Sequence, residues 1–300
     1  MATVDKIQNV AIIGLGLLGA SLGMALRGKK YKRFGWTRRA EVRKWALQND
    51  VIDETDDDIG KILAQADLTI ICLPIPKIME YIENYAQYWK PGAVVSDIGS
   101  VKEVIVNCGE KYLMPSGVNF VGGHPMAGTE KMGPYAAFET LYDNAEVFVT
   151  NTCSTSSKAI EHVADFWETI GTKVVRIGLL EHDNLVAHTS HISHILALAL
   201  TEAVLDCDPE TLALRYSGCA TGFRDTSRIT SSSPSMWREI IENNQPAVLE
   251  VVDEFAKRYE RLSELIKNKD YDNLEAEFAK GKRLRDAWMD YKKNGQNAKW

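Results

Sequence analysis

Val10-Ala11-Ile12-Ile13-Gly14-Leu15-Gly16-Leu17-Leu18-Gly19 is the stretch that decides the fold. Four apolar residues lead directly into a Gly-x-Gly-x-x-Gly pattern, and the helix-forming segment Ala20–Leu26 follows. A strand that turns through glycines into a helix is the opening unit of a dinucleotide-binding βαβ fold. The pattern alone is weak evidence, but the strand before it and the helix after it supply the context that the motif requires.

The three glycines have separate expected tasks. Gly14 permits the tight turn, Gly16 lets a pyrophosphate approach the backbone, and Gly19 lets the helix pack closely on the strand. The first helical residues, Leu17 and Leu18, present free N–H groups toward the phosphates. We therefore predict that all five residues bind a dinucleotide; the alternative is a glycine-rich turn without a ligand.

Short apolar runs alternate with helical patterns from residue 9 to about residue 178. Most runs are continuously apolar, as in a parallel sheet covered by helices on both faces. This alternation predicts a Rossmann-type doubly wound parallel α/β domain over residues 1–178. After Phe34-Gly35-Trp36, the runs are Leu68–Leu73, Ala93–Ile98, Asn119–Gly122, Val147–Thr150 and Val174–Ile177.

Residues 179–300 show helical periodicity and no convincing strand, so we predict an all-helical second domain. One apolar stripe in it is longer than a small domain easily buries, and twofold dimers are the commonest assembly. We expect this helical domain to form a homodimer. The stripe comprises Val248, Val251, Val252, Phe255, Tyr259, Leu262 and Ile266.

Composition narrows the class of protein. The 300 residues carry 41 acidic and 35 basic side chains, which argues against a partner such as nucleic acid or an anionic membrane. No apolar run approaches the roughly 18 residues of a membrane span, and no secretory signal is present. The 5 cysteines are scattered without a Cys-x-x-Cys pair, which favours reduced thiols in the cytoplasm over a disulfide or zinc framework.

The residues after the second strand discriminate between cofactors. An acid is expected there if the ribose 2′-hydroxyl of NAD is bound, but this chain has Thr37-Arg38-Arg39. A hydroxyl and two guanidinium groups suit a 2′-phosphate through charge-assisted hydrogen bonds. We therefore predict NADP, with NAD as the alternative if Arg38 and Arg39 are solvated charges at a helix start.

Two polar clusters follow predicted strands. Ser96–Lys102 comes at the carboxyl end of one strand, where ligands gather in an open α/β sheet. Gly122–Glu130, with the sequence GGHPMAGTE, follows another strand. We expect His124 to lie in a loop, with room to meet a substrate and a pKa near the working pH for proton removal.

These motifs resemble the prephenate/arogenate dehydrogenase family. The resemblance rests on the glycine pattern, DIGSVK, GGHPMAGTE, and the helical-domain pair SHISH and GFRDTSR. It implies that His124 is the catalytic histidine that takes the proton of a ring hydroxyl as hydride leaves the same carbon. It also implies that Ser100 contacts that hydroxyl and orients the histidine, beside the cofactor.

The resemblance also implies a set of substrate-binding residues. Arg228 matches the arginine that binds a substrate carboxylate, for which a guanidinium offers a bidentate fork. His191 and His194 match the two histidines that line the cleft, and Glu130 matches an acid beside the site. Asp225 could pair with the ammonium group of arogenate, although the same acid occurs in prephenate-using relatives.

The implied reaction is the oxidative decarboxylation of prephenate, a cyclohexadienol, to 4-hydroxyphenylpyruvate in tyrosine biosynthesis. Arogenate dehydrogenase is the alternative within the family, and a β-hydroxyacid-type dehydrogenase or imine reductase is the nearest rival outside it. A non-enzymatic NADP-binding sensor is a rival of another class. No room remains after the helical domain for a regulatory module, so we expect no feedback control through one.

The histidines of this chain also allow other interpretations. His188, His191 and His194 are spaced by three residues and should lie near one helical face, so a zinc site is an alternative. Ligand-spaced cysteines or carboxylates are missing nearby, and we predict no metal. We predict structural tasks for His162 and His182.

Overall fold

The computed structural model describes residues 3–129 and 131–294. Within these ranges, seven strands form one sheet in the order β2-β1-β3-β4-β5-β6-β7. Each apolar run predicted from the sequence overlaps one of them. The strands are β1 Asn9–Ile13, β2 Lys32–Trp36, β3 Leu68–Ile71, β4 Val94–Asp97, β5 Asn119–Pro125, β6 Glu146–Asn151 and β7 Lys173–Gly178.

Helices cover both faces of the sheet, as the doubly wound prediction requires. Alternate residues of β1 enter different cores: Val10 and Ile12 pack into one, whereas Ala11 and Ile13 pack into the other. This explains why the strand is apolar throughout. The covering helices are α1 Leu17–Ala25, α2 Ala40–Gln48, α3 Ile59–Gln65, α4 Ile75–Tyr85, α5 Glu103–Leu113 and α6 Ser157–Thr169.

The order of the strands places a crevice beside β1. The chain passes from β1 to β2 on one side and returns to β3 on the other side, and both pairings are parallel. Ligands of open α/β sheets bind outside the carboxyl ends of strands at such a reversal of direction. The glycine turn after β1 therefore stands at the expected binding edge.

The sheet is not parallel throughout. β5 pairs antiparallel with β6, whereas β6 and β7 are parallel to each other. Because β6 supplies ladder partners beyond Gly122, β5 continues to Pro125, and His124 pairs with Phe148. The prediction that His124 lies in a loop after the strand was therefore wrong.

The described residues after β7 are helical. They form α7 Leu179–Val186, α8 Ile192–Leu205, α9 Pro209–Gly218, α10 Thr221–Ser227, α11 Pro234–Asn243, α12 Gln245–Lys267 and α13 Tyr271–Asn294. A π-helical segment, Ala187–His191, joins α7 to α8. Across the described ranges, no helix has both the length and the apolar character needed to cross a membrane.

The chain separates into two compact units, Met1–Val248 and Leu249–Trp300. Helices α7–α11 thus belong to the same compact unit as the sheet. The functional boundary between residues 178 and 179, where the strand-helix alternation ends, remains a prediction.

Candidate active site

The glycine turn has the geometry that its three glycines were expected to provide. Gly14 has φ +102°, and a Cβ there would lie 2.3 Å from the carbonyl oxygen of Cys72. A Cβ on Gly19 would lie 1.9 Å from the carbonyl oxygen of Gly14. Around Gly16, by contrast, no described heavy atom lies within 4 Å of the Cβ position. Two glycines are therefore required by packing, and the third leaves open space.

The start of α1 suits an anionic group. Gly16 is the N-cap residue, no described side chain caps the helix, and no acid stands in its first turn. The N–H groups of Leu17 and Leu18 are therefore free of side-chain acceptors at a helix N-terminus, where they and the helix dipole favour phosphate. The open space at Gly16 lies where such a group must approach. These residues fit the pyrophosphate of a dinucleotide.

The residues proposed to discriminate the ribose lie beside this turn. The N–H of Gly14 donates to the carbonyl oxygen of Trp36 at 2.8 Å, which brings the end of β2 next to the glycines. Thr37 is half-buried, whereas Arg38 and Arg39 are exposed. The sequence did not single out Arg43, which is buried and donates from Nη1 to the carbonyl oxygen of Thr37 at 2.6 Å. Arg43 thereby fixes the backbone of the discriminating segment.

His124 is buried in a contact with a second histidine. Its Nδ1 lies 2.9 Å from Nε2 of His182, and Nδ1 of His182 lies 2.7 Å from Oδ1 of Asp183. Burial, together with His182, Lys102 and His191, holds the pKa of His124 well below its usual value. The expectation of a pKa near the working pH was wrong, and the ring is neutral. His182, predicted to be structural, is a direct partner of His124.

Asp183 connects this pair to the start of α5. Its two carboxylate oxygens accept the backbone N–H groups of Lys102 at 2.8 Å and Glu103 at 2.9 Å. Its own carbonyl oxygen accepts from Nδ2 of Asn244 at 2.8 Å. Asp183 therefore ties α7 to both the DIGSVK segment and the end of α11.

A buried ion pair lies behind His124. Lys102 donates to Oδ2 of Asp97, and both side chains are completely buried. Nζ of Lys102 also donates to the carbonyl oxygen of Gly123 at 2.8 Å, and Oδ1 of Asp97 accepts the N–H of Gly123 at 3.1 Å. The DIGSVK segment is thus linked to the residue before His124. Ser100, half-buried, lies on this linked segment.

Two further histidines surround one indole ring. The ring of His194 stacks on Trp237 with centroids 3.7 Å apart, and His191 meets the same indole edge-on at 5.9 Å. Nδ1 of His191 lies 3.2 Å from Nδ2 of Asn244, and since that amide nitrogen only donates, Nε2 of neutral His191 carries the proton. Burial lowers the pKa of His191 to about 4.

The three regularly spaced histidines do not share one environment. His188 is exposed, whereas His191 is buried, because a π-helical segment ends at His191 and departs from α-helical spacing. The expectation that all three line one helical face was wrong for His188.

Two further predicted binding residues, Arg228 and Asp225, lie on or directly after α10. Arg228 is exposed, and burial and the charge of Arg228 both lower the pKa of His194. Asp225 is exposed and accepts from Nε of Arg224 at 3.0 Å. Glu130 lies outside the described residues. The structure therefore brings His124, His191 and His194 into one histidine-rich region with Arg228 at its edge.

Comparison with known proteins gives the family. Residues 22–176 match the model of the prephenate dehydrogenase nucleotide-binding domain, and residues 180–280 match that of the prephenate dehydrogenase dimerization domain. The chain belongs to the prephenate dehydrogenase family. This family member is an NAD(P)-dependent oxidoreductase, and its Rossmann-type and helical parts are those predicted from the sequence.

Three similar proteins carry different substrate names. The chain is 32% identical over 282 residues to the cyclohexadienyl dehydrogenase of Zymomonas mobilis, covering 93% of this chain and 95% of that one. The prephenate dehydrogenase of Aquifex aeolicus, solved with hydroxyphenyl propionate and NAD+, has a TM-score of 0.86 at 32% identity, over 95% of this chain and 99% of that one. The arogenate dehydrogenase of Synechocystis has a TM-score of 0.84 at 29% identity, over 94% of this chain and 100% of that one.

Sequence reasoning missed several residues of this site. His182, Asp183 and Asn244 are distant along the chain from His124, and Trp237 belongs to none of the motifs. The adjacent pair His182-Asp183 was a usable signal, because an imidazole beside a carboxylate is a common way to orient a ring. No pattern in the sequence indicated which histidine it would meet.

Proposed function

We propose that this protein oxidatively decarboxylates prephenate to 4-hydroxyphenylpyruvate with NADP+. The observation that carries the proposal is a buried, neutral His124 in a family member whose glycine turn fits a dinucleotide. A neutral imidazole accepts a proton, and burial keeps it neutral against the pH of the solvent. Family membership supplies the class of substrate.

The proposed mechanism assigns one task to each part of the site. A dinucleotide held at the glycine turn would supply the acceptor for the hydride that leaves the ring carbon carrying the hydroxyl. His124 takes the hydroxyl proton, so a carbonyl forms at that carbon. The ring carboxylate then leaves as carbon dioxide, its bonding electrons make the ring aromatic, and the carbonyl oxygen gains a proton as a phenol. Aromatisation makes the reaction effectively irreversible.

Positioning of the substrate comes from the surrounding polar groups. Ser100 is proposed to contact the ring hydroxyl and orient His124, and Arg228 to bind a substrate carboxylate. His191 carries a proton on Nε2, so it acts as a donor, and His194 and Glu130 complete the proposed lining. Among them His191 is buried, and the exclusion of water strengthens its electrostatic contact with the substrate.

NADP is the proposed cofactor because a hydroxyl and two cations follow β2. Arg38 and Arg39 are exposed and free to approach a 2′-phosphate, and no acid stands at position 37. Replacing both arginines by alanine is expected to raise the Michaelis constant for NADP+ at least tenfold and to leave that for NAD+ nearly unchanged. The control Lys44→Ala removes an exposed cation from the next helix and should change neither.

We propose prephenate rather than arogenate as the substrate because of the surroundings of Asp225. Its carboxylate is exposed and contacts the neighbouring cation of Arg224, so Asp225 does not form a buried site for an ammonium group. A clear preference of the enzyme for arogenate would contradict this assignment.

A cytoplasmic homodimer is the proposed assembly. Four large apolar side chains of α12 are more than one-third exposed within Leu249–Trp300, namely Leu249, Tyr259, Leu262 and Ile266. Exposed apolar stripes of this size mark interaction sites, and residues 180–280 match a dimerization domain. Light scattering should give the mass of a dimer, and a monomer would contradict the proposal.

Product analysis tests the proposed reaction. The protein is mixed with prephenate or arogenate and with either cofactor, and the reduced cofactor, carbon dioxide and aromatic product are measured. We expect equal amounts of NADPH, carbon dioxide and 4-hydroxyphenylpyruvate from prephenate. A β-hydroxyacid-type enzyme would instead oxidise hydroxyacids, and a sensor would bind NADP without turnover of either cyclohexadienol.

A further inference from the structure

We propose that His182 and Asp183 are positioning residues that hold His124 in the tautomer with its proton on Nδ1, leaving Nε2 as the proton acceptor. The inference deepens the proposed function and rests on it for the identity of the base. The observation behind it is the contact between Nδ1 of His124 and Nε2 of His182, two residues that lie 58 positions apart in the chain.

The first step concerns the hydrogen bonds that Asp183 accepts. Its carboxylate receives two backbone N–H groups, those of Lys102 and Glu103, in addition to the ring of His182. Both carboxylate oxygens accept from backbone N–H groups, so Asp183 acts as the acceptor in its contact with His182 as well. Nδ1 of His182 must therefore carry the proton in that contact.

The second step passes this constraint to His124. With Nδ1 protonated, a neutral His182 has only a lone pair on Nε2, so Nδ1 of His124 must donate to it. A neutral His124 then has only a lone pair on its own Nε2. The fixed carboxylate thereby determines, through two rings, which nitrogen of His124 is the base.

A doubly protonated His182 would reverse the result, because it would donate to His124 and force the proton of His124 onto Nε2. The surroundings oppose this state. His182 is fully buried, and burial and the cation of Lys102 both lower its pKa, against the opposing effect of Asp183 and Asp97. His124 likewise faces Lys102 and His191 as well as His182. The neutral pair is the state that the site favours.

The same contacts stabilise the state after proton transfer. Once Nε2 of His124 has taken the substrate proton, its ring is a cation that donates from Nδ1 to His182, while Nδ1 of His182 donates to the Asp183 anion. Charge-assisted hydrogen bonds are about twice as strong as neutral ones. The arrangement follows the logic of an acid–base triad in which a buried carboxylate orients the base, with one additional imidazole between the two.

Several contacts fix the positions of the His182 and Asp183 side chains. Asp183 is fixed by the N-terminal N–H groups of α5, and its carbonyl oxygen is fixed by Asn244. His182 precedes Asp183 on α7, and its ring also meets Phe148 edge-on with centroids 5.5 Å apart. The rings have little freedom to exchange partners, so the tautomer is built into the fold.

Nuclear magnetic resonance of 15N-histidine-labelled protein reads the tautomer directly. His124→Asn identifies the resonances of His124 by their loss. We expect the free wild-type protein, at neutral pH, to show His124 protonated on Nδ1 and unprotonated on Nε2. The reverse pattern, or an imidazolium at His182, overturns the proposal. This readout uses no substrate, so it stays decisive even if the enzyme proves not to turn over prephenate.

Kinetics of His182 variants supply the second test. His182→Leu removes the acceptor and should lower kcat about 10²-fold, with the Michaelis constants for substrate and cofactor within about twofold. His182→Gln offers an amide oxygen to Nδ1 of His124 and should recover at least tenfold of that loss. His162→Gln, a change at a half-buried histidine on α6, is the matched control and should leave kcat unchanged.

A merely structural His182 predicts a different pattern. Both variants would then lose activity in proportion to lost folded protein, with no recovery by glutamine. The 15N pattern of His124 would also be unchanged in folded His182→Leu. Either result overturns the proposal, and circular dichroism with NADP binding reports the folded fraction of each variant.

Discussion

Nζ of Lys102 donates to the carbonyl oxygen of Gly123, the residue before His124 in β5, at 2.8 Å. The same ammonium is paired with Asp97, whose carboxylate also accepts the N–H of Gly123. The backbone next to His124, the proposed base, is therefore held by a fully buried charge pair. Burial lowers the pKa of Lys102, and Asp97 opposes that effect.

Removing one member of this pair should destabilise the fold strongly. Lys102→Met leaves Asp97 as an unpaired charge in the core, and broken buried pairs cost about 3–5 kcal/mol. Urea denaturation measures the loss in the free energy of unfolding. The control Lys111→Met, at an exposed position of the helix that follows Lys102, should cost less than about 0.5 kcal/mol. A loss below about 1 kcal/mol for Lys102→Met would show that the pair does not hold the strand.

The glycine turn allows cofactor binding to be separated from folding. Gly19→Ala places a Cβ 1.9 Å from the carbonyl oxygen of Gly14, so we expect a fall in the melting temperature of several degrees. Gly16→Val meets no described atom within 4 Å and should keep the melting temperature. Its side chain fills the space proposed for the pyrophosphate, so it should weaken NADP binding at least tenfold. Tight NADP binding by Gly16→Val would place the phosphates elsewhere.

The proposed carboxylate contact predicts a difference between two arginines near the same helix. Arg228→Ala should raise the Michaelis constant for prephenate because a bound carboxylate loses its partner. The fall in kcat/KM should correspond to a loss of about 2–4 kcal/mol in binding free energy. Arg224→Ala removes an exposed cation that pairs with Asp225 and should reduce kcat/KM little. Steady-state kinetics compare the two. An equal fall in kcat/KM for both variants would mean that Arg228 contributes only long-range positive charge and does not contact the carboxylate.

Acid should destabilise the protein over a window set by its buried histidines. In the folded state the pKa values of His124, His182 and His191 are lowered, that of His191 to about 4. The unfolded chain therefore binds more protons below pH 6.5, and stability present above that pH is lost as the pH falls toward 4. Each such histidine costs about 1.4 kcal/mol per pH unit in this window.

Denaturation midpoints between pH 7 and pH 4.5 check this dependence. His191→Asn should reduce the slope by about one proton, because it removes one of the three groups. An unchanged free energy of unfolding across this range would contradict the burial of neutral histidines. Carboxylates with lowered pKa values, such as Asp53 and Asp67, lose their stabilising contribution only at lower pH.

The fold was largely readable from the sequence because its signals are local. Continuous apolar runs such as Val10–Ile13 report burial on both faces, and the glycine spacing requires one particular turn. The antiparallel pairing of β5 and β6 had no such signal. Gly122-Gly123-His124-Pro125 has low strand propensity by itself, and only the partner strand makes it extended.

The candidate site was readable only in part, for the same reason. Motifs identified His124 and Arg228 individually, but the contact of His124 with His182 joins β5 to α7 and leaves no periodic trace. The depressed pKa of His124 is likewise a property of its burial and of its neighbours. The prediction that residues spaced by three share one helical face assumes an ordinary α-helix. The π-helical segment Ala187–His191 does not have that spacing, so His188 is exposed whereas His191 is buried.

The most direct test of the account is turnover of prephenate by His124→Asn, followed by the formation of NADPH and 4-hydroxyphenylpyruvate. Asparagine keeps a polar side chain but cannot accept the hydroxyl proton, so we expect kcat to fall about 10²- to 10⁴-fold while NADP affinity is unchanged. The matched change His162→Asn should keep full activity. Wild-type turnover by His124→Asn would contradict the central claim that this imidazole is the base.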